Sequence, residues 1–69
     1  MIKLKLKMLD GLSATDTHIF LSKSHPFVVT TDIQGGQTYT VIKDSIHNNG
    51  GWKVFEDIND VLSMIEAQI

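Results

Sequence analysis

The chain has 69 residues, no cysteine, no arginine and a formal net charge of −2. These counts exclude disulfides and thiolate metal sites, and they weigh against a general binder of phosphate backbones, which needs a basic surplus. With 42% hydrophobic and 20% charged residues, the composition is that of a globular domain, and we treat residues 1–69 as a single small domain.

So small a domain buries only about 60% of the surface of its unfolded chain, which leaves a marginal core. Such domains usually need a disulfide, a metal or a partner chain. Since cysteine is absent, we expect a second copy to supply the missing burial, as a homodimer or a higher homo-oligomer. Met1–Lys7 alternates lysine with apolar residues, and no stretch approaches the roughly 20 apolar residues of a membrane span. A cytoplasmic protein is therefore predicted.

The clearest strand is Met1–Leu9, in which apolar and lysine side chains alternate. Its lysine face should be solvated, and lysines also protect an exposed sheet edge from unwanted pairing. Asp10-Gly11 signals a turn and the polar run Ser13–Asp16 reads as a loop. His18–Leu21 is predicted to be a second strand with apolar residues on both faces.

The middle of the chain has the pattern of a β-hairpin. Lys23–Pro26 reads as a connection, because the residue before proline is pushed towards extended geometry. Phe27–Ile33 is rich in β-branched residues and predicts a third strand. Gln34–Gln37 holds two glycines that suit a tight hairpin turn, and Thr38–Lys43 is the predicted returning strand.

The last third predicts a loop, a short strand and a helix. Asp44–Gly51 reads as a loop whose tip, Asn48–Gly51, resembles a second hairpin connection into a strand over Trp52–Phe55. Apolar residues then recur at helical spacing from Ile58 to the last residue. Asp57 stands where a short acceptor side chain caps the first free amides of a helix.

These elements predict an α+β fold: an antiparallel sheet of four or five strands with one C-terminal helix packed on one face. The predicted core combines three helical residues with six strand residues: Val61, Leu62, Ile65, Leu4, Leu6, Ile19, Val29, Val41 and Val54. One helix covers only one face of the sheet. The other face is covered either because the sheet curls into a small barrel or because a second subunit packs on it, and we rank the second subunit first.

Chemistry-bearing motifs are scarce. His18, His25 and His47 lack the spacing of a metal site, and the serines near them lack the context of a catalytic nucleophile. The two Gly-Gly pairs are not followed by the lysine of a phosphate loop. We therefore expect no catalytic residues, no metal and no cofactor, and a protein that is not an enzyme.

Two binding functions remain open. The favoured one is a protein-interaction module that contacts itself and a larger protein, through a surface that includes Phe20, Trp52, Phe55 and Met64. The alternative is a nucleic-acid-binding β protein, which would use lysines for phosphates and a tyrosine for stacking: Lys3, Lys5, Lys7 and Tyr39. The acidic balance and the absence of arginine favour the first.

The chain also resembles the small FlbD-like (SwrD-type) flagellar proteins and their uncharacterised phage and prophage relatives. The similar features are the opening strand, the Leu9-Asp10-Gly11 turn, the hairpin residues Gly36, Tyr39 and Val41, and the strand-to-helix junction Val54–Asp57 followed by Val61, Leu62 and Ile65. Here the first turn comes late, and His47–Gly51 resembles an insertion. The resemblance implies a small, non-enzymatic accessory or regulatory protein of a bacterium or phage.

Overall fold

A computed structural model of the chain describes residues 1–45 and 51–69. Its elements, in chain order, are β1 (Ile2–Asp10), β2 (Ser13–Leu21), β3 (Phe27–Gln34), β4 (Gln37–Asp44), β5 (Trp52–Val54) and α1 (Ile58–Glu66). The five strands form one antiparallel sheet, and α1 contacts β1, β3 and β4. The predicted α+β fold is therefore confirmed. The predicted hairpin tip lies largely within residues 46–50, outside the described residues, as does His47.

Tight glycine turns set the register of two hairpins. Gly35 and Gly36 both have positive φ, +60° and +79°, which is the pattern of a type I′ turn, so Gln34 pairs with Gln37. In the β1–β2 hairpin only the first turn residue, Gly11, has positive φ, as in a type II′ turn. The twist of such turns matches that of the strands they join, so both pairs of strands run their full length.

The first hairpin corrects one prediction, because Ser13–Asp16 is the start of β2 and not a loop. These polar residues continue the ladder with β1, where Asp16 is the partner of Lys7 and Thr15 is the partner of Met8. Their polarity reflects an exposed end of the sheet. Backbone pairing with a nine-residue strand, and not their own composition, makes them extended.

The order of the strands in the sheet is β2-β1-β5-β4-β3. β5 inserts between β1 and β4, through Val54 beside Met8 on one side and beside Thr40 on the other. The lysine-bearing β1 is therefore flanked on both sides and is not the edge strand that its lysines suggested. The two edges belong to β2 and β3, which follow each other in the chain but do not share a ladder.

The sheet is strongly coiled. β2 ends beside the first residue of β1, whereas β3 begins at the end of the sheet where β1 finishes. Ser22–Pro26 has to join the end of β2 to the start of β3, which are at opposite corners of the sheet. Five residues span at most about 20 Å, which is less than the diagonal of a flat sheet of this size. A cavity of about 170 Å³ is lined both by Trp52 of β5 and by His18, Ile19 and Phe20 of β2. The strands thus curve as in an incompletely closed barrel, with α1 on the concave side.

The core lies between the concave side of the sheet and α1. It is formed by nine buried side chains: Ile2, Leu4, Leu6, Ile19, Leu21, Ile42, Val54, Val61 and Ile65. Two predicted core residues are placed differently. Leu62 is 37% exposed, because it lies about 100° around the helix from Val61. Val41 is buried, but on the other side of the sheet, since its neighbour Ile42 points into the core.

The helix begins where the sequence predicts and ends earlier. The Asp57 side chain accepts a hydrogen bond from the Asn59 N–H at 3.0 Å, so the predicted N-cap is confirmed. The last helical residue is Glu66, and the predicted continuation to Ile69 is wrong. The N–H of Gln68 still donates to Ile65 O, which winds the end of the chain back over the last turn.

Candidate functional site

The sheet has a second side, opposite α1, which we call the outer face. Because side chains alternate along each strand and paired residues share a side, the register assigns its members. The charged and aromatic residues of the outer face are Lys3, Lys5, Lys7, Asp16, His18, Phe20, Asp32, Tyr39, Lys43, Lys53 and Phe55. Elements that are distant in sequence thus meet on one surface.

Charge is segregated between the two sides of the protein. The register places five of the six lysines on the outer face with two acids, Asp16 and Asp32, while the Glu56 carboxylate lies at the edge of β1, where it accepts from the Lys7 N–H at 3.0 Å. The outer face therefore has a net charge of +3, and the rest of the chain has a net charge of −5, which together give the total of −2. Sequence reasoning missed the contribution of Lys43 and Lys53, because only the cross-strand register shows that they share a face with β1.

A compact polar and aromatic cluster surrounds the ammonium group of Lys53. Its Nζ lies 3.0 Å from Asp32 Oδ2, donates to Gln34 Oε1 at 2.7 Å, and stands 5.9 Å from the centre of the Tyr39 ring. The hydrogen bond from Lys53, and then its charge, lower the pKa of the Asp32 carboxyl. Tyr39 also meets the Phe55 ring edge-on, with centroids 5.2 Å apart.

This cluster removes Tyr39 from the set of accessible rings. Only 9% of Tyr39 is exposed, because Lys53 and Phe55 cover it. A ring that stacks on bases must offer an open face. The expectation that Tyr39 acts as a stacking platform therefore does not fit the structure, although the residue lies on the same face as the lysines.

The ribbon formed by β1 and β2 carries three exposed cross-strand pairs on the outer face. Lys3 is opposite Phe20, Lys5 is opposite His18, and Lys7 is opposite Asp16. Only the last is an ion pair, at 3.5 Å, and its side chains are 62% and 71% exposed, so it contributes little to stability. Within the described residues, the ammonium groups of the other two lysines form no ion pair.

The strand β3 presents a free edge. In a two-residue hairpin the pair next to the turn is hydrogen-bonded, and here that pair is Gln34 and Gln37. Because hydrogen bonding alternates along an antiparallel strand, the even-numbered residues of β3 bond to β4. The backbone groups of Val29, Thr31 and Ile33 therefore point away from β4. The Ile33 N–H confirms this, because it donates to the side chain of Asp32 at 3.0 Å and not to β4. Residues 30–34 are all exposed.

The four side chains predicted for a protein interface do not form one surface. Phe20, 45% exposed, and the half-buried Phe55 lie on the outer face. Trp52 and Met64 are half-buried and pack against the core, and Trp52 also lines a cavity together with Phe20. Phe20 and Trp52 are thus brought together, whereas Phe55 lies beside Tyr39 and Met64 lies on α1. The interface through these four residues stays a prediction.

The cavities of the described residues are shallow. One of about 280 Å³ lies between the two hairpin turns and is lined by Tyr39 and Phe55. The described residues contain no group of three histidine, aspartate or glutamate side chains that could hold a metal ion. Within the same residues, no helix has the length and apolar character needed to cross a bilayer.

Comparison of the chain with protein-family models, with curated proteins and with solved structures found no match. The resemblance to FlbD-like flagellar proteins therefore stays a prediction. Two surfaces remain as candidates for function, the free β3 edge and the lysine-bearing outer face.

Proposed function

We propose that this protein is a cytoplasmic protein-interaction module that forms a homodimer through the free edge of β3. In this proposal it is not an enzyme, and it serves a bacterium or phage as a small accessory protein that regulates a larger one. The observation that carries the proposal is an unprotected edge strand in a chain with a small core.

The sequence of β3, FVVTTDIQ, has none of the usual devices that block an edge. It contains neither lysine nor proline, and its one charge, Asp32, is already paired with Lys53. Val28 and Ile33 are 54% and 72% exposed. Long, β-branched edges of this kind readily pair with another strand.

A second copy suits this edge better than the edge of β2 would. Two antiparallel β3 strands related by a two-fold axis would exchange backbone hydrogen bonds around Val29 and Thr31, and they would bring no unpaired charge together. The same pairing through β2, if centred on Asp16, would bring together two carboxylates whose ion pair with Lys7, at 3.5 Å, is longer and more exposed than the 3.0 Å pair of Asp32 with Lys53. A strand from a larger partner could add to β3 in the same way.

The edge, and not the outer face, is the basis of this proposal. The sequence predicted a dimer that covers a second apolar face of the sheet. The outer face is instead rich in lysine, and its apolar residues Val41 and Tyr39 are already buried. Pairing at an edge needs backbone groups and β-branched side chains, which β3 has.

The experiment is multi-angle light scattering at tens of micromolar protein. We expect about twice the chain mass of 7.7 kDa for the parent. Thr31→Pro should give a monomer, because it removes an outward N–H while leaving the β4 ladder intact. The matched control is Ala14→Pro, which removes an outward N–H from the β2 edge and should leave the dimer unchanged.

Two results would contradict the proposal. A parent mass of 7.7 kDa with a melting temperature independent of concentration would show that a single coiled sheet suffices. A dimer that survives Thr31→Pro but is lost in Ala14→Pro would assign the interface to β2. Circular dichroism of both variants ensures that monomers are folded.

A further inference from the structure

We infer that the β1–β2 ribbon of the outer face binds single-stranded nucleic acid, with Lys3, Lys5 and Lys7 on the phosphates and Phe20 and His18 against the bases. The inference is independent of the dimer, because it uses other strands and the opposite side of β1. It departs from the sequence-based alternative in the rings it assigns, since Tyr39 is covered.

The first argument is charge complementarity. The outer face has a net charge of +3 within an acidic protein, so an anionic ligand is attracted to this side and repelled by the other. The ammonium groups of Lys3 and Lys5 have no carboxylate partner in the part of the chain that the structure describes. They are therefore available for phosphates.

The second argument is the spacing of the charges. Lys3, Lys5 and Lys7 follow one strand, and alternate residues of a strand stand about 6.6–6.8 Å apart. Successive phosphates of a nucleic-acid strand are separated by a whole sugar and its C–O and P–O bonds, which in an extended single strand is a comparable distance. The three lysines can therefore meet successive phosphates of an extended single strand that runs along β1.

The third argument is the position of the rings. Phe20 and His18 are exposed and stand directly opposite Lys3 and Lys5. A strand whose phosphates follow β1 would hold its bases over β2, where these rings offer open faces for stacking. An exposed phenylalanine beside a row of lysines has no role in the core.

These features favour a single strand over two other anionic partners. Duplex readout usually inserts a helix or a two-stranded ribbon into the major groove. The one described helix is acidic and lies on the other side of the sheet, and β1–β2 is not a separate ribbon, because β1 also pairs with β5 in a five-stranded sheet. An anionic membrane surface needs no regular spacing and no stacking ring. Both are included below as competitors.

The test is fluorescence anisotropy with a labelled oligothymidylate of about twelve nucleotides, at salt concentrations from 50 to 200 mM. Three phosphate contacts predict a slope of log K against log salt of about −2, or roughly 20-fold weaker binding across this range. Lys3→Ala/Lys5→Ala should weaken binding at 50 mM and reduce the slope to about −0.7. Phe20→Ile, which keeps a β-forming side chain without a ring, should weaken binding at least fivefold.

The matched control is the single variant Lys23→Ala, at the one lysine outside the outer face, which should change binding by less than twofold, whereas Lys5→Ala alone should weaken binding at 50 mM salt and reduce the slope to about −1.4. The monomeric Thr31→Pro variant should bind as the parent does, which separates this inference from the proposed dimer. The same affinities are measured for a duplex of matched length and for phosphatidylserine vesicles. The inference is overturned by no binding at 50 mM salt, by equal losses in Lys23→Ala and Lys5→Ala, or by tighter binding to the duplex or the vesicles.

Discussion

The side-chain amide of Gln68 bonds the backbone of Lys3 as a neighbouring strand would. Its Oε1 accepts from the Lys3 N–H at 2.8 Å, and its Nε2 donates to the Lys3 C=O at 2.8 Å and to the Met64 C=O at 3.1 Å. β5 ends at Val54, so the first residues of β1 have no paired strand on the side opposite β2. One amide therefore joins the end of the helix to the first strand.

Gln68→Ala should lower the free energy of unfolding by about 1–2 kcal/mol, because both backbone groups of Lys3 lose their partner. Gln68→Glu keeps an acceptor but not the donor, so it should lie between Ala and the parent. Ile69→Ala, at a residue that is 80% exposed, is the control and should be neutral. Urea denaturation measures all three, and equal midpoints would show that the bonds contribute nothing.

Truncation of Leu62 and truncation of Ile65, both in α1, should lower the free energy of unfolding by very different amounts. Ile65→Ala should cost about 2–5 kcal/mol, because Ile65 is 4% exposed in the core. Leu62→Ala should cost less than about 1 kcal/mol, since Leu62 is 37% exposed. Helix propensity cannot cause this difference, because isoleucine is a poorer helix former than leucine and its replacement by alanine gains slightly more. Equal losses in thermal melts would contradict the orientation of the helix.

The hydrogen bond made by the buried hydroxyl of Thr40 should contribute to the free energy of unfolding more than the volume of the hydroxyl does. Thr40 is 1% exposed, and its Oγ1 donates to the Glu56 C=O at 2.7 Å, which fastens β4 to the junction before α1. Thr40→Val keeps the shape but leaves that carbonyl unpaired, for a loss of about 1–3 kcal/mol. Thr38→Val, an exposed position on the same side of β4, is the control. A stable Thr40→Val protein would exclude the hydrogen bond as a determinant.

The Asp32–Lys53 pair should be visible in an acid titration. The pKa of Asp32 is lowered in the folded protein, first by the hydrogen bond from Lys53 and then by its charge. The folded state therefore binds fewer protons than the unfolded one in this range, so the contribution of the pair is present at neutral pH and is lost as pH falls through the folded pKa. The midpoint of the Asp32 side-chain carbon shift in NMR measures the pKa.

Lys53→Met should raise that midpoint towards the ordinary value for an aspartate. Lys43→Met should raise it much less, because the Lys43 charge is the smallest of the causes that lower the pKa of Asp32. A midpoint that is the same in the parent and in Lys53→Met would show that the pair does not persist in solution.

Local signals account for the predictions that succeeded. Alternation identified β1, two glycines with positive φ identified the β3–β4 turn, and the short acceptor of Asp57 identified the start of α1. Each signal depends on neighbours within a few residues, and each element is found in the structure. The prediction failed at Ser13–Asp16, where polar residues are extended because β1 pairs with them.

The candidate sites were predicted only in part. Lys3, Lys5 and Lys7 share a face because they belong to one strand, and that was visible in the sequence. Their meeting with Lys43 and Lys53 depends on the insertion of β5 between β1 and β4. The burial of Tyr39 depends on the same insertion, which places Lys53 over its ring.

By itself, the sequence determined the type of each element, the turns, the helix cap and which residues of one strand lie on the same side, because backbone geometry and side-chain alternation are local. Only the tertiary structure decided which strands are edges, that Ile42 and not Val41 faces the core, and that Ile65 and not Leu62 is buried. Those outcomes depend on pairings between residues far apart in the chain. Such pairings are selected by the burial of the whole core, to which every element contributes at once.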